Sequence, residues 1–520
     1  MSTELKEKTY NPRSHHGKSF KRVCRRFAEK TSLLGVSYIN SSKKRIATFI
    51  WTFLFLCAMV AMLAHLYYLT QQFFSWPKQT EVTLEFRNLK FPAVTICNVN
   101  TIRRSKLHLA KQPLQNLIGT FEDVMQGDRN GDDRRRRKKR FTERFDEINF
   151  TAYDEYDYYV YDYEDDLEDE WIAPHEKSHQ AMNAFERIYM KESRETRSQM
   201  GHQIDDMLVS CSFDGKLCYA DNFTASDTPE YGNCFTLDSE KFITKAPGPR
   251  AGLTLIMYME NDEYLHGITS GFGARFAIHD SDTYPFPADE GAFVATRSET
   301  HVGLRLVKIQ RIVYPWGECE PGKEFKNRFN FTYTRQACMV LCEQHTAITE
   351  CGCYKHVADE ITRLIDRGGA APCSTKEDVV CLQRTLNSKA CPCLYPCSED
   401  SYVKATSTRQ WPTAMYAGFL EHVFCEEHPG KCGNISENED KFELSLNLLK
   451  LVIYYEDLNY EIITETAAIT VWQFLSDIGG AAGLWIGLSF LSCFEVIQFG
   501  VEIVDYLIWK CKRNKGVLGQ

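Results

Sequence analysis

Excess positive charge and long apolar runs are both scarce in this chain of 520 residues. Against 70 Asp and Glu stand 61 Lys and Arg, a formal net charge of -9. A nucleic-acid binder would carry a basic footprint, which this balance excludes. Mean hydropathy is -0.37, which excludes a many-span transporter. No fixed repeat marks a solenoid or propeller. Cysteine, by contrast, is plentiful: of 20 cysteines, 16 lie between Cys97 and Cys432. An even, tightly spaced set of this kind is a disulfide framework folded in an oxidising compartment, which argues against a cytosolic enzyme. With 43% hydrophobic and 25% charged residues, the chain can bury a sizeable core and is no disordered tail.

The few apolar runs are informative. Ile46 to Leu69 carries no charged side chain, only His65, and Lys43-Lys44-Arg45 abuts its leading edge. That satisfies the roughly 20 apolar residues needed to cross a bilayer. A second stretch, Ala467 to Phe494, is charge-free except for Asp477 and is followed by Lys510, Lys512, Arg513 and Lys515. The first 45 residues hold 12 Lys and Arg against 3 acids. Basic flanks at both distal ends put both termini in the cytoplasm. The expected organisation is a cytoplasmic N-terminus (1–45), a first span (46–70), an extracellular domain (71–466), a second span (467–509) and a cytoplasmic C-terminus (510–520). A buried core helix is the competing account of each span. Sequons at Asn149, Asn222, Asn330 and Asn434 fall inside the loop, whereas Asn40 lies on the cytoplasmic side.

Within the loop, Phe91–Cys97, Leu253–Met259 and Leu449–Tyr455 are β-branched or aromatic runs of strand length, so the domain reads as mixed α and β. The pairs at Cys351/Cys353 and Cys391/Cys393 could be zinc ligands, but structural zinc favours wider pairs and reduced thiols; disulfides fit an extracellular loop. Residues 129–170 break the composition. A basic run ending at Arg140 precedes ten acids between Asp154 and Glu170. It reads either as a solvated loop or as a site for a protease that prefers paired basic residues, with cleavage after Arg140. His175-Glu176-Lys177-Ser178-His179 spells H-E-x-x-H, a zinc-hydrolase pattern with Glu195 as a conceivable third ligand. The acidic low-complexity tract beside it suits no catalytic helix.

The second span is a poor simple anchor. Gly479, Gly480, Gly483 and Gly487 let helices approach closely or let the backbone leave the helix along a water-filled path. Asp477 at one end, with Glu495, Glu502 and Asp505 at the other, is costly in lipid and points to an ion path. One such helix per chain cannot enclose a pore, so several copies are required and a cation path is expected. A glycine-rich dimerising anchor of a receptor is the alternative.

Several segments carry a specific likeness. They are Phe91-Pro-Ala-Val-Thr-Ile-Cys-Asn-Val-Asn100, Tyr231-Gly-Asn-Cys-Phe235, Asp262-Glu-Tyr264, Tyr314-Pro-Trp-Gly-Glu-Cys319, Asp457-Leu-Asn-Tyr460 and Asp477-Ile-Gly-Gly-Ala-Ala-Gly-Leu-Trp-Ile-Gly-Leu-Ser489. In these the chain resembles the degenerin/epithelial sodium channel family, which includes acid-sensing and FMRFamide-gated members. The resemblance implies a homo- or heterotrimer in the plasma membrane. Each ectodomain would be disulfide-rich α+β with palm, β-ball, finger (105–205), thumb (319–397) and knuckle. The pore would be amiloride-sensitive and pass sodium, with no cofactor. It implies the bridges Cys97–Cys234, Cys211–Cys218, Cys319–Cys397, Cys338–Cys393, Cys342–Cys391, Cys351–Cys381 and Cys353–Cys373. Cys425 and Cys432 are left over as an eighth pair.

By the same likeness, Gly487, Leu488 and Ser489 form the selectivity tripeptide. Ser476, Asp477, Gly480 and Glu495 belong to gate and pore. Gly35 marks a re-entrant segment, and Trp76 and Trp316 couple ectodomain to span. The chain departs from the family at Leu34, where relatives carry His. Asp262 and Glu263 keep the acidic pair of proton-gated relatives. The thumb-side acids give way to Gly368-Gly369-Ala370-Ala371-Pro372, and Pro77 follows Trp76 where proton-gated members place His. By elimination the expected stimulus is a short extracellular peptide of FMRFamide type. Proton gating and constitutive or protease-tuned conduction are the alternatives.

Overall fold

A computed structural model describes residues 20–126, 182, 184–239, 241–265, 268–373, 376–388, 390–427 and 443–517. The chain divides into two units, Met1–Gln79 with Glu465–Gln520 and Thr80–Thr464. Arg140, Asn149, Asn434, Cys432 and the H-E-x-x-H segment lie outside the described residues.

The first unit is helical. Phe20–Lys30 and the short helix Leu34–Ser41 precede a 30-residue helix, Arg45–Phe74. At 1.5 Å per residue that helix is about 45 Å long, and its side chains are apolar all round. It is the one described helix that is by itself long and apolar enough to cross a membrane. Near the C-terminus, Val471–Ile486 and Phe490–Trp509 qualify only when taken together across a break, where the axis bends by 73°. Leu33, Met62, Ala482 and Ile486 form the core of this unit, and Phe73 stacks on Phe474 with ring centroids 4.3 Å apart.

The second unit is built on two sheets. The larger has eight strands. Its path runs from Lys78–Phe86 at one edge through 459–467, 298–310, 448–455, 253–258 and 208–213 to 216–218, with 398–410 paired antiparallel along the whole of 298–310. Strand Leu253–Tyr258 alternates buried and half-buried side chains, the period expected of a sheet with one face in the core. Strand Ala93–Asn98 is buried at every position, and its run of Val94, Thr95 and Ile96 suits a strand covered on both faces. It is the centre of a five-stranded antiparallel sheet ordered 292–295, 273–279, 93–98, 232–237, 223–228. One apolar core serves both sheets. The three runs read as strands in the sequence are strands here, at 93–98, 253–258 and 448–455.

Among the described residues seven disulfides have both partners in this unit: Cys97–Cys234, Cys211–Cys218, Cys319–Cys397, Cys338–Cys393, Cys342–Cys391, Cys351–Cys381 and Cys353–Cys373. Cys351 and Cys353 are thus oxidised, which removes them as zinc ligands. Two bridges join residues directly opposite in adjacent strands, Cys97 with Cys234 and Cys211 with Cys218. Helix Arg335–Cys351 starts at Thr334, whose Oγ1 accepts from Ala337 N at 3.1 Å, and stops at Gly352 with φ +70°. Cys338 and Cys342 are one turn apart on its surface, so the segment at Cys391 and Cys393 is stapled along one helix face. Cys425 is disulfide-bonded. The free thiols among the described residues, Cys24, Cys57 and Cys493, all belong to the helical unit.

Candidate functional site

The break between the last two helices is specified locally. Thr470 caps the first of them, its Oγ1 accepting from Gln473 N at 3.2 Å. At the other end Gly487 takes a left-handed φ of +68°, Gly487 N donates to Gly483 O at 3.0 Å and Leu488 N donates to Ala482 O at 3.3 Å. This is the glycine-dependent way of ending a helix. The next helix begins three residues after Gly487, at Phe490, with a reciprocal cap. Ser492 N donates to Ser489 Oγ at 3.3 Å and Ser489 N donates to Ser492 Oγ at 3.1 Å. Glycine as the stop and serine as the restart are the residue types these positions demand. The carbonyls of Gly487 and Leu488 lie between the two helices, outside either ladder, where backbone oxygens can be presented to an ion. Ser489 O, at the N-cap, is directed into the second helix and meets Cys493 Sγ at 3.8 Å.

Helical spacing divides the side chains of Val471–Ile486 into two faces. Phe474, Ala482, Trp485 and Ile486 meet the long helix Arg45–Phe74, Trp485 Nε1 donating to His65 Nδ1 at 3.3 Å. Ser476, Asp477, Gly479 and Gly480 are exposed; Ser476 and Gly480 fall on the opposite side, with Asp477 on the flank between the two faces. A Cβ added at Gly479 or Gly480 would meet nothing within 4 Å.

Below the break, the turn before Leu34–Ser41 is bonded to the second helix. Glu495 Oε2 accepts from Ser32 N at 2.8 Å, Thr31 Oγ1 at 3.1 Å and Ser32 Oγ at 3.2 Å. The Ser32 and Ser492 hydroxyls are 2.7 Å apart, and Ser492 is fully buried. A polar chain therefore runs from Ser489 through Ser492 and Ser32 to Glu495. Lipid cost and the family likeness both assign Glu495 to a water-filled path; here its Oε2 is occupied by the N-terminal turn. Gly35 has no left-handed φ. It is required because a Cβ there would stand 2.1 Å from Phe55 Cδ2. Thr31, Ser32, Phe55, His65 and Ser492 were not singled out by sequence reasoning. Only Ser492 had a local signal, as the third residue after a serine at a helix start.

Other expected residues are dispersed. Trp76, with φ +49°, packs on Phe73 and Phe74 at ring distances of 5.2 and 5.7 Å. Trp316 is half-buried in the loop before Cys319. Asp262 is exposed, while Glu263 Oε2 accepts from Ser105 N at 2.8 Å. Just before this pair, Glu260 bonds His202 Nδ1 at 2.8 Å and Arg103 at 3.0 Å, and burial pulls the His202 imidazole down. Asn222 and Asn330 are exposed. Elsewhere, burial and the nearby Glu230 push the Glu186 carboxyl up to about 7. No cluster of three or more metal-ligating side chains occurs among the described residues.

Residues 27–499 match the family model described as amiloride-sensitive sodium channel. The chain is 26% identical to epithelial sodium channel subunit gamma of Xenopus laevis, over 90% of this chain and 78% of that protein. It is 30% identical to epithelial sodium channel subunit beta of Bos taurus over 64% of this chain and 51% of that one. It is also 30% identical to degenerin mec-10 of Caenorhabditis briggsae, over 61% and 43%.

Proposed function

The chain belongs to the amiloride-sensitive sodium channel family, a family of ion channels and not of enzymes, and from that premise we propose that three copies, alone or with related subunits, enclose one sodium-selective pore in the plasma membrane. Spans 46–70 and 467–509 cross the bilayer with both termini in the cytoplasm, and residues 71–466 are extracellular, glycosylated at Asn222 and Asn330. The observation that carries this reading is the break at Gly487-Leu488-Ser489. It is capped on both sides, so a rigid ring of carbonyls from three copies can replace part of a cation's water shell. Ser476 and Gly480, exposed on the face turned away from the long helix, and Asp477, exposed on its flank, fit the outer pore, where Asp477 concentrates cations. Amiloride blocks this pore, and an extracellular peptide of FMRFamide type opens it.

A second reading, gating by protons, is supported by Glu186, whose raised carboxyl exchanges its proton near neutral pH beside Glu230, Lys355 and Arg187. Expression in oocytes with sequential acid, amidated peptide and extracellular protease tests both. Amiloride-blocked inward sodium current evoked by peptide supports the first reading, and current evoked only by acid supports the second. Surface protein that passes no current under any of the three refutes both.

A further inference from the structure

A cavity of about 210 Å³ opens in the second unit, where the turn at Thr228–Glu230, the segment Tyr284–Asp289 and the helix Arg335–Cys351 converge. Its walls are divided between apolar or aromatic and polar side chains. The rings of Tyr284 and Phe286 lie 5.2 Å apart, prolines flank Phe286, and Val340 closes the side formed by the helix. Its polar groups lean to one sign: Glu230, Asp289 and Glu343 line it, with Lys355 as the one cation among the described residues that do. Lys355 is committed to Glu343 at 3.7 Å, and Asp289 is met by a neutral donor, Gln336 Nε2 at 2.6 Å. His356 also lines the cavity, and its Nε2 is buried without a hydrogen-bond partner. Burial pulls that imidazole down to about 4, so it is neutral near pH 7 and can accept a proton donor. Burial likewise raises the Glu230 carboxyl. Asp289 is exposed and Glu343 half-buried, and Lys191, Arg197 and Arg187 act on His356 from behind the wall. Glu230 is the lining carboxylate whose charge burial makes costly, and an arriving cation with N–H donors offsets that cost.

We propose that this cavity binds a small organic ammonium carried on an aromatic or branched apolar body. The three N–H donors of a primary ammonium can be shared among Glu230, Asp289 and His356 Nε2, and an aromatic face adds cation–π attraction. The volume falls below the roughly 300–1,000 Å³ of drug-sized sites. It therefore suits one ring on a short amine, or the N-terminal residue of a peptide, and not a whole peptide. The negative lining excludes anions. An occupant would bridge the Thr228–Glu230 turn to a helix stapled by Cys338, Cys342 and Cys351, fixing that helix against the five-stranded sheet. The effect of this on current rests on the channel reading above; binding does not.

The test uses full-length protein in detergent, with phenethylamine as probe and 2-phenylethanol as its uncharged counterpart. A saturable rise in melting temperature is expected with the amine and not with the alcohol. Glu230→Gln, which keeps the size and removes the charge, should weaken half-saturation by at least about tenfold, a loss of about 1.4 kcal/mol. Val340→Trp should abolish binding by filling the space, and the exposed Glu324→Gln should change nothing. Unliganded melting shows whether each variant folds, and Glu230→Gln alone decides if Val340→Trp does not. Equal shifts by amine and alcohol, or unchanged half-saturation in folded Glu230→Gln, would overturn the site. Saturable amine binding with no current in oocytes leaves the site standing and removes the channel reading. Robust current with no amine binding does the reverse.

Discussion

Gly35→Ala isolates one contact whose consequence can be worked from distances. The added Cβ would stand 2.1 Å from Phe55 Cδ2 and 2.9 Å from Cε2. Carbon atoms in ordinary contact sit about 3.5–4.0 Å apart, so the ring or the helix Leu34–Ser41 must retreat by more than 1 Å. Overpacking of this size costs about 1–3 kcal/mol. Phe55 belongs to the apolar cluster that also contains Ala482 and Ile486, so the displacement is passed to the helix just before the break. Gly35→Ala should lower the melting temperature of solubilised protein and reduce amiloride-sensitive current per channel at the surface, measured against biotinylated protein. Phe55→Ala should be mildly destabilising alone, yet the double variant should recover part of the loss, with a coupling of about 1 kcal/mol or more in a double-mutant cycle. Strict additivity, or a Gly35→Ala variant indistinguishable from the parent, would refute the claim that contact with Phe55 is why glycine stands there.

Substitutions at Ser489 should change the sodium-to-potassium permeability ratio, read from reversal potentials, with agonist sensitivity little altered; an unchanged ratio across several substitutions moves the filter elsewhere. Enlarging Ser476 should hold the outer pore open, seen as standing amiloride-sensitive current, because bulk beside Asp477 keeps neighbouring helices apart. His65→Phe should loosen the tie to Trp485 and lower stability by about 1 kcal/mol, while His65→Gln, which keeps an acceptor, should lose less; equal losses would deny the hydrogen bond a role. Glu186 holds its proton more tightly when folded, its carboxyl raised from 4.5 to about 7, a difference of about 3 kcal/mol. That contribution is full below about pH 4.5 and is lost as pH rises through 7, so melting temperature should fall between pH 5 and 8 in the parent and less in Glu186→Gln.

What could be read along the chain was whatever short-range physics decides. The strand runs at 93–98 and 253–258 show themselves by β-branched composition and alternation. The helix break shows itself because a left-handed stop needs glycine and a restart needs a hydroxyl, both within three residues of one another. The cysteine framework was legible as oxidised, and its pairing came from the family likeness, since spacing alone does not choose among connectivities. The Cys425–Cys432 pair stays half-described, with Cys432 outside the described residues.

Glu495 shows where such reading ends. An acid in an apolar stretch has two ways to lower its cost: face water, or collect hydrogen bonds from buried donors. A sequence displays the acid but not the donors, which here are Thr31 and Ser32, more than 460 positions away. The two solutions have opposite consequences. A water-facing Glu495 would act on ions directly, and its neutralisation would alter conduction while leaving the N-terminal turn in place. A hydrogen-bonded Glu495 acts on position, since Ser32 also meets Ser492 and Ser492 meets Ser489. Ser32→Ala separates them, because it removes two of the hydroxyl contacts and no charge. A shift in the permeability ratio with Ser32→Ala follows from the positional account alone. An unchanged ratio there, together with a changed one in Glu495→Gln, returns Glu495 to the ion path.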